Sequence, residues 1–145
     1  MTEFYPRILV FLQFTLIAAM LFFSQSIVHS PLGISIFILG LLLGLWALNH
    51  NKRGNFNIQP KIKEGCKLIT SGAYKYIRHP MYSSVTLMML GVLLSTPVLI
   101  EWILYLSLLM VLFLKAKREE RLWCGHDLQY LQYKKRTKLF IPYIL

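Results

Sequence analysis

Apolar residues in this chain fall into long unbroken blocks rather than the one-sided or alternating patterns of a globule, and short polar stretches separate them. The first block covers 8–28, and its polar members Gln13, Thr15, Ser24, Gln25 and Ser26 are expected to turn inward toward other helices. It is too long and too polar at its C-terminal end for a signal-peptide core, and no small-residue cleavage pattern follows. The second covers 32–48, the third 81–94 and the fourth 98–114. His29-Ser30-Pro31 and Ser95-Thr96-Pro97 lie between blocks, where proline cannot continue a helix and pushes the preceding residue out of helical geometry. A bilayer crossing takes about 20 residues, so the pattern predicts four transmembrane helices, the third short enough to need tilt. Within the second block, Gly40-Leu-Leu-Leu-Gly44 spaces two small residues one helical turn apart, and the expected use is close packing inside the bundle rather than dimerisation.

Composition agrees: 56% of residues are hydrophobic, 15% are charged and the mean hydropathy is +0.53. These values describe an integral membrane protein, all-α and polytopic. The chain is expected to form a single domain over 1–145, with the first two helices in 1–49 and the chemistry in 50–145. Lys and Arg number 16 against 6 Asp and Glu. One basic residue, Arg7, precedes the first helix, seven fall between His50 and His79, and eight lie from Lys115 onward. The positive-inside rule then predicts cytoplasmic termini, a cytoplasmic 49–79 loop and an even number of spans. Such hydrophobicity directs the net charge of +10 toward membrane lipids and anionic ligands, and no soluble basic module suggests nucleic acid. Cys66 and Cys124 stand far apart in those segments, where a disulfide is not expected.

Two polar constellations lie on the same predicted face. One runs from Asn55 to Tyr82 and ends in Gly72-Ala-Tyr-Lys-Tyr-Ile-Arg-His-Pro-Met-Tyr82, whose backbone amides, aromatic rings and histidine suit a nucleotide-like cofactor. Anchoring at lipid headgroups is the competing account. The other is Lys115-Ala-Lys-Arg-Glu-Glu-Arg121, where paired carboxylates among cations could hold an ammonium group and an anionic substrate, or could equally form a solvated helical face. No metal-ligand spacing, no strand followed by GxGxxG and no legible Ser-His-acid grouping is present.

The ordered set Gln59-Pro60, Thr70-x-Gly72-x-Tyr74, Arg78-His79-Pro80-x-Tyr82, Glu119-Glu120, Tyr130-x-x-Tyr133 and Ile141-Pro142 resembles the isoprenylcysteine carboxyl methyltransferase family. It is similar also to the wider group of small membrane methyltransferases that includes phospholipid N-methyltransferases. The resemblance implies an S-adenosylmethionine site built from a cytoplasmic loop and a C-terminal helix. Gln59, Cys66, Lys67, Leu68, Ile69, Tyr74, His79, Pro80, Met81 and Tyr82 would line it, with Glu120, aided by Glu119, on the methionyl ammonium. A substrate-facing arginine of the family falls here on Lys115 or Lys117, with Arg118 adjacent, and a point charge replaces a bidentate fork. Asp127-Leu128 stands where the family carries Phe-Gly or Phe-Pro, and the four helices are fewer than in eukaryotic members. The implied activity is methyl transfer to a lipid or lipidated small molecule, foremost carboxyl O-methylation, with N- or S-methylation of a phospholipid or other small molecule as the alternative. Two further readings remain: a sterol-reductase-like enzyme using NADPH, and a non-enzymatic anionic-lipid binder acting through Lys134, Lys135, Arg136 and Lys138. Oligomeric state is left open.

Overall fold

Punctuation residues set the helix ends. The computed structural model describes residues 4–24, 30–51 and 68–142, and among these the helices are α1 (Phe4–Phe23), α2 (Pro31–His50), α3 (Pro80–Ser95), α4 (Leu99–His126) and α5 (Leu128–Arg136). Ser30 caps α2 by accepting from the Gly33 amide at 3.0 Å, and Pro31 occupies the first turn, where a missing N–H costs nothing. Pro80 opens α3 in the same way. Asp127 closes α4 and caps α5, its carboxylate accepting from the Gln129 amide at 2.8 Å. The predicted helices therefore form, with the first starting at Phe4 rather than Ile8. Its predicted end at 25–28 lies outside the described residues.

Three of these helices, α1, α2 and α4, are long and apolar enough to cross a membrane. The expected third span is shorter: Pro80 and Thr96 confine α3 to 16 residues, about 24 Å of helix against a hydrocarbon core of about 30 Å. α4 errs the other way. Its 28 residues reach about 42 Å, so the charged last third, from Lys115, extends past the apolar run.

The helices pair antiparallel, as the contacts show. Gly33, Gly40 and Gly44 of α2 are buried against Gly91 and Ser95, Met88, and Ser84 of α3 in that order, so one chain climbs as the other descends. A Cβ on Gly40 would meet the Met88 amide nitrogen at 2.7 Å, and one on Gly91 the Phe37 amide at 2.8 Å. Backbones this close let the Ser84 hydroxyl donate to the Gly40 carbonyl across the interface at 2.7 Å. The glycine pair is used within the bundle, as the sequence suggests. α1 packs chiefly on α4, and Met20, Met89, Val92, Leu93, Tyr105, Leu108 and Leu112 form the core between α1, α3 and α4. Phe11, Phe14, Leu39, Leu42, Leu106 and Met110 face outward, which suits lipid rather than water.

Candidate active site at the end of the α3–α4 pair

The chain returns from α2 to α3 through a short 3-10 turn, Gly72–Lys75. Gly72 has φ of +60°, and a side chain there would strike the His50 ring at the end of α2, so only glycine seats the loop against that helix. After the turn, Ile77 bridges Lys138 in parallel, the Arg78 amide donates to the Lys138 carbonyl at 2.8 Å, and the His79 amide donates to Leu139 at 3.2 Å. The segment after α5 thus runs as a strap beside Arg78-His79-Pro80. Ser83 reinforces it by donating to the Phe140 carbonyl at 2.7 Å.

Glu119 and Glu120, adjacent on α4, turn to different partners. Glu120 is 1% exposed; its Oε1 accepts from Arg78 Nε at 2.5 Å and its Oε2 lies 3.0 Å from Lys134 Nζ. The same guanidinium donates to the carbonyls of Lys134 and Thr137. Arg78 and Glu120 together fasten α5 and the strap to α4. Glu119 instead accepts from the Tyr82 hydroxyl at 2.5 Å, and its second oxygen lies 3.3 Å from His79 Nδ1. The His79 ring stacks on Tyr82, 5.4 Å apart and 8° from parallel, and tilts against Phe140 at 6.2 Å. His79 is buried, and among the described residues its Nε2 has no hydrogen-bond partner.

Lys115, one turn toward the apolar end from Glu119, is 1% exposed. Its ammonium donates to Gln13 Oε1 of α1 at 2.5 Å and sits 5.1 Å from the centre of the Tyr82 ring. From the bilayer side outward the cluster reads Gln13, Lys115, Tyr82, Glu119, His79 and Phe140, an array of cation, ring, carboxylate and imidazole. Around it the tyrosines are kept neutral. Burial, and then the Glu119 charge, push the Tyr74 phenol up to about 12, while burial raises Tyr130 and Tyr133 well above the ordinary tyrosine value. Tyr133 donates to the Tyr74 carbonyl at 2.6 Å, which pins α5 over the turn.

Among the residues expected in the site, His79, Tyr82, Lys115 and Glu119 converge, and Pro80 and Met81 form the first turn of α3 beside them. Tyr74 sits within range of the Glu119 charge. Leu68 and Ile69 are half-buried in irregular backbone before the turn. Glu120 belongs to the Arg78 clasp, and Arg118 points the other way, its guanidinium 5.4 Å from the Tyr5 ring. Gln59, Cys66 and Lys67 lie outside the described residues. Arg78, Gln13 and Phe140 acquire roles that the sequence reading does not assign. Arg78 is legible in principle from its place beside His79-Pro80, and Gln13 turns inward as a polar residue of an apolar helix is expected to, though its partner Lys115 is not specified locally; a phenylalanine near the C-terminus carries no local signal.

A family model described as phospholipid methyltransferase matches residues 28–125, about two thirds of the chain. The chain belongs to the phospholipid methyltransferase family. The match spans α2 through α4 and so includes His79, Tyr82, Lys115 and both glutamates. No curated protein matches the chain significantly. Membership makes the chain a membrane methyltransferase, and the three long apolar helices among the described residues agree with that setting. The match is to the phospholipid methyltransferases, and it does not single out the isoprenylcysteine branch.

Proposed function

We propose that the protein transfers a methyl group from S-adenosylmethionine to a lipophilic acceptor that reaches the site from the bilayer. The buried cluster of Lys115, Tyr82, Glu119 and His79 carries this reading. The residues suit the cofactor: the orphaned His79 Nε2 is a buried polar atom awaiting a partner, Glu119 offers a carboxylate for an ammonium group, and Tyr82 and Phe140 offer aromatic faces. Glu120 is already neutralised by Arg78 and Lys134, so Glu119 is the carboxylate assigned to the methionyl ammonium. When bound, S-adenosylmethionine supplies an electrophilic methyl carbon on a sulfonium, which leaves as a neutral thioether once the methyl group has moved.

The chain's part is to align and to exclude water, which supplies most of the acceleration for a displacement of this kind. Phe140 and the strap close one side of His79, and the Tyr82 ring stacks on it with the Lys115 ammonium 5.1 Å from that ring's centre. Lys115, at the bilayer end, holds a cation where the acceptor arrives, which favours a carboxylate and disfavours an ammonium headgroup. A carboxylate acceptor needs no base. This supports carboxyl O-methylation, and the family match supports the second reading, N-methylation of a phospholipid amine. Purified protein incubated with membrane lipid extract and methyl-labelled S-adenosylmethionine separates them: a methyl ester releases labelled methanol in alkali, an N-methyl group does not. Labelling of no lipid species at all would overturn the proposal.

A further inference from the structure

On the flank of α4 away from Glu119, a groove opens toward the start of α1. Tyr5, Leu114, Lys117, Arg118, Arg121 and Leu122 line it. The five α4 positions follow the three- and four-residue steps of one helical stripe, so three cations stack along a single face. Among the described residues, no carboxylate is in that lining. Lys117 lies 3.9 Å from Glu120, but Arg78 and Lys134 hold that carboxylate more closely, and the lysine's side chain stays 45% exposed. The Arg118 guanidinium lies over the Tyr5 ring, and Arg121 is exposed.

Below the cations both walls turn apolar. The α4 stripe continues through exposed Met110 and Ile103, and the α1 stripe that begins with Tyr5 continues through exposed Ile8 and Leu12. A basic mouth with an interfacial tyrosine above two lipid-facing stripes is complementary to a molecule with an anionic head and acyl chains. The geometry points to a binding site for an anionic membrane phospholipid in this groove, its phosphate among Lys117, Arg118 and Arg121 and its chains along α1 and α4. This lipid is a bound partner rather than the methyl acceptor, because the groove and the Glu119–His79 cluster occupy opposite flanks of α4.

The test uses the purified full-length protein in neutral detergent, with thermal unfolding followed while phosphatidylglycerol, phosphatidylcholine or inorganic phosphate is titrated in. Phosphatidylglycerol raises the unfolding midpoint at saturable concentrations, and the other two do not. The K117Q/R118Q/R121Q variant loses about a hundredfold in apparent affinity, from about 1 kcal/mol per cation near an anionic lipid surface. The K75Q/K135Q/R136Q variant, which removes the same charge from exposed positions elsewhere, retains it. Should the triple groove variant not fold, R121Q alone carries the test, with about a fivefold loss expected. Equal losses in the groove and control variants, an unchanged response in the groove variants, or an equal response to inorganic phosphate each overturns the proposal.

Discussion

Two neighbouring carboxylates with opposite duties are the residue-scale core of this account. Glu120 is spent on Arg78 and Lys134, whereas Glu119 is bonded to a tyrosine hydroxyl and faces an imidazole. Glu120→Gln leaves a buried guanidinium underpaired, and a loss of about 3–5 kcal/mol in stability is expected, read as a lowered unfolding midpoint with α5 detaching. Glu119→Gln and His79→Ala are expected to keep the fold and to abolish cofactor binding, measured by titration with S-adenosylhomocysteine. The tyrosines give a pH signature. Tyr74 is raised to about 12 from its ordinary value of 10, so the fold favours its neutral form. That contribution is complete below about pH 10 and is lost as pH rises toward 12, because the unfolded chain releases the proton first. Alkaline titration of tyrosinate absorbance should show a late-ionising class whose appearance coincides with unfolding.

Helix pairing tests the same ideas one level up. The Gly40 and Gly91 contacts leave no room for a side chain, so Gly40→Val should lower stability by about 1–3 kcal/mol or block assembly, seen as a shifted unfolding midpoint in detergent. Tyr133→Phe removes the hydroxyl that holds the Tyr74 carbonyl, and a cost of about 1 kcal/mol is expected from thermal unfolding. These elements differ in how openly the sequence declares them. Pro31, Pro80 and the Ser95-Thr96-Pro97 break mark helix ends by local chemistry, and Gly40-x-x-x-Gly44 marks a packing face by spacing, so both are readable from short windows. The strap is not. Its pairing of Ile77 with Lys138 joins positions far apart in the chain, and nothing within either segment specifies the other. The division of labour between Glu119 and Glu120 is hidden for a related reason: one step along a helix turns a side chain about 100°, and which wall each carboxylate meets depends on the packing of α3, α4 and α5.

For the whole molecule, the family match and the apolar helices place a methyltransferase in the membrane, and the charge distribution sets the proposed orientation. With Cys66 replaced by serine, half-buried Cys124 near the end of α4 becomes the reporter of sidedness. A membrane-impermeant thiol reagent should label it from the cytoplasmic face of sealed vesicles and not from the opposite face. The proposed orientation would bring the His79–Glu119 cluster to the compartment that supplies S-adenosylmethionine, with Lys115 and Gln13 toward the apolar end of α4. The cofactor site itself is the central claim, and calorimetric titration of S-adenosylhomocysteine into the purified wild-type protein and its Glu119→Gln and Glu120→Gln variants tests it most directly. Saturable binding by the wild type is expected, with its loss in Glu119→Gln and its retention in Glu120→Gln at temperatures where that variant remains folded. Absence of binding by the folded wild type, or unchanged binding by Glu119→Gln, would contradict the claim.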